Sequence, residues 1–152
     1  MPATRSRAAR SRRIGITGLG MHVPAKVLTN HDIEKMVDTS DEWIRSRTGI
    51  EERRVAEPGT TTSDLACAAA AEALKQAKLK PQDVELIIVA TTTPDMLFPS
   101  CSCLVQQRLG AVKAVCFDLS AACSGSVFAM ITAQQYLLNG RYRNALVIGA
   151  EV

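Results

Sequence analysis

Histidine is nearly absent from this chain, with only His22 and His31, and the five cysteines form no C-x-x-C pair and have no histidine at metal spacing. That pattern excludes the common structural zinc sites. His22 sits in a predicted turn before Pro24, and His31 at a predicted helix start where Asn30-His-Asp32 can cap. No apolar run approaches the roughly 18 residues that a membrane-spanning helix needs, and no secretory leader is visible. The odd cysteine count then fits a reduced, intracellular protein. A dinucleotide cradle is also excluded, because Gly15, Gly18 and Gly20 lack the later glycine and are followed by Met21-His-Val-Pro24 rather than a helix. Acids are missing from the first thirteen residues, which carry five arginines. The remainder holds 13 basic and 15 acidic side chains, so the formal charge of +3 belongs to the N-terminus and marks no nucleic-acid-binding face. Residues 1–13 are expected to be a flexible basic extension of a cytoplasmic protein; their Arg/Ser/Ala bias is shared with organelle transit peptides, which is the alternative.

What is present is enough for one domain: 152 residues, 47% hydrophobic. Arg13 to Gly20 reads as a short strand entering a turn. Asn30 to Val37 reads as a helix, Thr39-Ser-Asp41 as the cap of a second helix running through Trp43 to Arg47, and Glu51 to Val55 as a strand. An alanine-rich stretch from Thr62 to Leu79, capped by Ser63, predicts a long helix that Pro81 ends. Val84 to Ala90 is almost continuously apolar, the mark of a parallel strand covered on both faces. A helix from about Pro99-Ser100 to Gly110, a strand over 114–119, a helix over 124–138 with apolar residues on more than one face, and a strand over 144–149 complete the pattern. Alternating strands and helices imply an α/β fold, with a mixed, partly parallel sheet, helices on both faces and a buried helix after Cys123. The chain stops directly after a strand and reads as interrupted.

Cys123 lies where the strand gives way to the helix, in Asp118-Leu-Ser-Ala-Ala-Cys-Ser-Gly125. A thiol at a helix start meets unpaired N–H groups and the positive end of the helix dipole, which favour thiolate. Small neighbours leave room for a substrate carbonyl. Free cysteine is also a frequent core residue, and local sequence leaves both roles open. Cys67, Cys101, Cys103 and Cys116 read as packing residues, Cys101 least securely because it too is near a helix start.

The blocks Thr39-Ser-Asp-Glu-Trp-Ile-Arg45, Arg47-Thr-Gly-Ile50, Glu52-Arg-Arg54, Ala90-Thr-Thr92, Phe98-Pro-Ser100, the Cys123 segment and Ala145-Leu-Val-Ile-Gly149 occur in an order that strongly resembles the N-terminal half of the β-ketoacyl-acyl-carrier-protein synthase III family. These are condensing enzymes of the thiolase superfamily. The resemblance implies a thiolase-like half-domain over residues 14–152 and no cofactor, acyl-coenzyme A being a substrate. It implies Cys123 as the nucleophile acylated by acyl-coenzyme A, with its own N–H as an oxyanion donor. Trp43 matches a residue stacking on adenine, and Thr39 and Arg47 match residues contacting the same nucleotide; on residue chemistry alone Trp43 also suits a half-buried helix anchor. Phe98 matches a residue reaching into the acyl pocket of a homodimer partner, with core packing as its alternative role.

The implied reaction is decarboxylative condensation with malonyl-acyl carrier protein, starting type II fatty-acid synthesis. The family's catalytic histidine and asparagine are expected beyond Val152, and neither His22 nor His31 matches. The chain is therefore expected to be a fragment unable to complete turnover alone. The alternatives are a related condensing enzyme of secondary metabolism, such as a polyketide-priming synthase, and a non-catalytic interaction fragment.

Overall fold

The computed structural model describes residues 13–152, so the predicted basic extension lies, apart from Arg13, outside the described residues. Its centre is β3 (Leu86–Ala90), a five-residue strand buried throughout. β3 runs parallel to β4 (Val115–Leu119) on one side and β5 (Leu146–Gly149) on the other, with Leu86 opposite Val115 and Ile87 opposite Leu146. The period-two alternation of a strand sends Ile87 and Val89 to one face and Leu86, Ile88 and Ala90 to the other. The first pair joins Ala66, Ala70 and Leu74 of α3 (Thr62–Ala77) and Cys101 and Val105 of α4 (Cys101–Leu109). The second set packs on Ala129 and Ala133 of α5 (Gly125–Leu138). Helices thus cover both faces, as the apolar run required. Each fully buried Leu or Ile of β3 contributes about 1.5–3 kcal/mol.

Three sequence expectations change in detail. Antiparallel pairing is confined to a separate ribbon, β1 (Lys26–Thr29) with β2 (Glu52–Val55), while the three-stranded sheet is wholly parallel. β1 was not anticipated; it forms through its pairing with β2, a contact between residues distant in sequence. The strand expected over residues 13–20 is extended chain without a ladder partner; it lies on α3 instead, with Leu19 N–H donating to Gln76 and Met21 N–H to Glu72 at 2.8 Å. Gly18 and Gly20 permit this, since a Cβ at either would meet the α3 backbone at Ala69 or Ala73. The cap of α3 is Thr61 rather than Ser63: Thr61 and Asp64 form a reciprocal capping box, and Ser63 is drawn to Asp95.

The helix expected to be buried on several faces is buried along one stripe, Gly125, Ala129 and Ala133. Val127, Phe128, Met130 and Ile131 are each about half exposed, because only the sheet side of α5 meets other elements among the described residues. α1 (Asn30–Glu34) is shorter than expected and capped by Thr29 with Asp32, while α2 (Asp41–Thr48) takes its cap from Ser40 and ends at Gly49 with φ +73°. Asn30, fully buried, joins these pieces: its Nδ2 donates to Asp41 and to the Ile50 carbonyl, each at 2.8 Å, and its Oδ1 accepts from Arg53.

Candidate active site

All three strands of the parallel sheet end on the same side, and α3, α4 and α5 begin there. At that edge β4 passes through Ser120 and Ala121 into a 3-10 turn, Ala122–Ser124, which runs directly into α5. Ala122 has φ +45°, a left-handed conformation that costs a residue with a Cβ and persists only where its surroundings enforce it. One enforcing contact is Gly125, whose missing side chain lets the start of α5 close on the end of β3, within 3.2 Å of the Ala90 Cβ if one were added. Another is Ser124, whose N–H and hydroxyl both donate to the Ala121 carbonyl.

Cys123 stands at the middle of this turn. It is exposed, so of the two roles left open by the sequence the buried core one is not seen, and it faces a cavity of ≈ 480 Å³ lined by Ala90, Thr92, Ser126, Gly149, Ala150 and Glu151. In a 3-10 turn starting at Ala122 the N–H groups of Ala122 and Cys123 precede the first internal bond, which Ser124 makes to the Ala121 carbonyl. A second cavity of ≈ 500 Å³ lies between residues 14–20 and β5 and is lined mostly by apolar and glycine positions; Cys123 is not part of it.

Three carboxylates, none singled out from sequence, fix the loops around the turn. Asp118 on β4 accepts from the N–H groups of Cys101 and Ser102 at 2.7 and 2.8 Å, tying the start of α4 to the strand that leads to Cys123. Asp95 does the same for α3, accepting from Ser63 N–H at 2.9 Å and its hydroxyl at 2.5 Å. Burial opposes charge on Asp95, but the Ser63 donors outweigh it and hold its pKa below the usual carboxylate range. Glu151 lines the Cys123 cavity and accepts from Thr92 N–H at 3.0 Å and from the hydroxyls of Thr91, Thr92 and Thr93 at 3.4, 3.1 and 2.7 Å. Burial again raises and the threonine donors lower, leaving its pKa depressed. Sequence signals existed only in hindsight: an acid just past a strand end, opposite a threonine triplet.

The other expected site residues are not gathered at this cavity. Trp43 on α2 is 57% exposed, with the Arg47 guanidinium over its ring at 5.8 Å, and Thr39 precedes the helix cap, half-buried. None of the three lines the Cys123 cavity. Phe98 is 87% exposed beside Leu97 at 97%, so core packing is not its role in this chain. Of the remaining cysteines, Cys101 is fully buried, and burial pushes its thiol up to about 12. Among the described residues no three His, Cys, Asp or Glu side chains converge as a metal site, and no helix is long and apolar enough to cross a membrane.

A parallel sheet covered on both faces, with a cysteine on a strained strand-to-helix turn at its carboxyl edge, defines a thiolase-like α/β fold. Comparison with known proteins narrows the class. Residues 117–152 match the family model for 3-oxoacyl-[acyl-carrier-protein] synthase III. The chain is 59% identical over 137 residues to the β-ketoacyl-[acyl-carrier-protein] synthase III of Caldanaerobacter subterraneus subsp. tengcongensis, covering 90% of this chain and 41% of that one. It superposes on the crystal structure of 3-oxoacyl-[acyl-carrier-protein] synthase III from Aquifex aeolicus with TM-score 0.87 and 52% identity, over 90% of this chain and 44% of that structure. The priming β-ketosynthase of the R1128 polyketide pathway superposes with TM-score 0.80 at 36% identity, over 82% of this chain and 37% of that one. The chain belongs to the 3-oxoacyl-[acyl-carrier-protein] synthase III family and corresponds to its N-terminal part. It spans about two-fifths of the length of the relatives it matches.

Proposed function

We propose that this chain is the N-terminal portion of a β-ketoacyl-acyl-carrier-protein synthase III in which Cys123 carries the acyl group. The observation that carries the reading is the Cys123 turn: a strained residue at Ala122 and an open cavity at one sulfur, at the entrance of a helix with no capping side chain. In the whole protein the Cys123 thiolate attacks the carbonyl of a short acyl-coenzyme A, the Cys123 N–H donates to the oxyanion, and coenzyme A leaves as its thiol. Malonyl-acyl carrier protein then loses carbon dioxide, and its carbanion attacks the thioester, releasing Cys123. Groups outside this chain, expected to be a histidine and an asparagine, assist that step.

Trp43 and Arg47 suit an adenine nucleotide, one giving a flat apolar face and the other a fixed charge already stacked on it, and Thr39 precedes the cap of the same helix. Phe98 and its exposed neighbours suit insertion into the acyl pocket of a second subunit, which makes the working protein a homodimer. The reaction needs no cofactor, only acyl-coenzyme A and the carrier protein as substrates. Similarity to a polyketide-priming synthase supports a second reading of acyl preference, since the Cys123 turn does not set pocket depth.

The test is acylation of the longer protein containing this chain with radiolabelled acetyl-coenzyme A, followed by peptide mapping. Label should reside on Cys123, vanish in Cys123→Ser and discharge as a β-ketoacyl product when malonyl-acyl carrier protein is added. Label surviving in Cys123→Ser would end the assignment.

A further inference from the structure

Cys103, in the first turn of α4, and Cys116, the second residue of β4, lie outside the cavity of Cys123 and play no part in the chemistry above. Their Sγ atoms are 3.5 Å apart across the helix–strand contact, and both residues are only partly buried. Polar groups surround the pair: the Ser100 hydroxyl donates to Cys103 Sγ at 3.1 Å, and Cys116 Sγ donates to Gln106 Oε1 at 3.5 Å. Gln106 is itself fixed by donating to the Ala114 carbonyl at 2.5 Å, so the Cys116 side is held from two directions. A disulfide bond is about 2.05 Å long, so each sulfur needs to move about 0.7 Å, a rotation of roughly 25° about χ1. The backbones are already held together, because Asp118 on β4 clamps the two N–H groups just before Cys103.

We propose that Cys103 and Cys116 form a dithiol modification site that a small-molecule disulfide oxidises to an intramolecular disulfide. One of the two thiols, as thiolate, attacks a sulfur of oxidised glutathione and releases one glutathione thiolate. The other then loses its proton and displaces the second glutathione from the mixed disulfide. Two thiols and one glutathione disulfide thus give one protein disulfide and two glutathione thiols. Burial, and then the neighbouring Cys103 sulfur, push the Cys116 thiol up. Of the other cysteines, the Cys101 thiol points at the Asp95 carboxylate 3.8 Å away, and Cys123 stands at its own cavity.

The experiment uses the whole chain incubated with oxidised glutathione, quenched with alkylating agent in denaturant and weighed intact. Free thiols should fall from five to three with a mass loss of two hydrogen atoms, and reduction should restore all five. Fragmentation of the cross-linked tryptic peptide should place the bond between 103 and 116, a step needed because each arm contains a second cysteine, Cys101 or Cys123. Neither Cys103→Ser nor Cys116→Ser should show the loss of two hydrogen atoms, since the thiol left of the pair can go no further than the mixed disulfide with glutathione, and the oxidised parent should melt at higher temperature than the reduced one. Retention of five thiols in the folded parent overturns the proposal, as does a bond mapped to any other pair. Fragmentation of the unsubstituted parent decides the matter even if a serine variant fails to fold.

Discussion

Replacing Asp118 tests whether a single carboxylate holds the architecture around the Cys123 turn. Its two oxygens accept from the N–H groups of Cys101 and Ser102, both residues fully buried, so water cannot take over as acceptor in the intact fold. α4 has no side-chain cap of its own, since Ser100 makes no capping bond and its first turn carries no acid. Hydrogen bonds to a charged group are each worth about 1.5–3 kcal/mol, and partial exposure of Asp118 places these at the lower end. Asp118→Ala should therefore cost about 3 kcal/mol. Asp118→Asn keeps one acceptor and should cost about half that. For a chain of this size the alanine variant should melt about 6–12 °C below the parent. Urea unfolding followed by circular dichroism gives the same quantity, and an unchanged slope would confirm that the folded state, not the unfolded one, was altered. An alanine variant within about 0.5 kcal/mol of the parent would refute the reasoning, because that is the range of an ordinary surface substitution.

Acid should destabilise the fold. Asp64, Asp95 and Glu151 all have folded-state pKa values below their unfolded ones, so the unfolded chain binds more protons in acid; the stability they supply is complete above the ordinary carboxylate range and declines below about pH 4. A urea midpoint that stays level or rises between about pH 6 and pH 3 would contradict this, and Asp95→Asn should flatten the decline. Gly20→Ala should lift residues 14–21 from α3 by driving a methyl group into its backbone, at a cost of about 1–3 kcal/mol. Faster amide exchange at Met21, whose N–H is held by Glu72, would report it; unchanged protection there would mean the contact is dispensable.

The parallel sheet was legible because β3 is apolar at every position, a pattern that admits cover on both faces and little else. The helices were legible from composition and breakers: alanines in α3, Gly110 after α4, Pro81 between α3 and β3. What escaped were pairings between distant residues. Ser63 and Thr61 are equally good caps by type, and only Asp95, 32 residues on, decides between them. β1 exists because Lys26 to Thr29 finds β2, while residues 13–20 look more like a strand and find a helix instead. At the site, the position of Cys123 on a strand-to-helix turn was readable, whereas its exposure was not. Exposure depends on what else packs on α5, and apolar residues along that helix gave no sign of which side would stay open.

The carboxylates explain why the sulfur sits where it does. Three helices begin at the carboxyl edge of the sheet, each presenting N–H groups and the positive end of its dipole. At α3 that end is occupied by Asp64 and Asp95, and at α4 by Asp118. α5 differs: its first turn has no acid, Ser124 makes no capping bond to its backbone, and the side chain placed at its entrance is Cys123. Glu151 lines the same cavity, but its oxygens are engaged by the threonine triplet. The fold thus places fixed negative charge at two of three equivalent helix ends and none at the third, which suits the proposed role of Cys123, where charge would form only during reaction. A capping carboxylate at α5 would stabilise the helix by about 0.3–1 kcal/mol. It would also repel both a thiolate and an oxyanion, so the missing cap is the feature that sets the Cys123 turn apart from the two carboxylate-capped helix starts beside it and that the proposed chemistry requires.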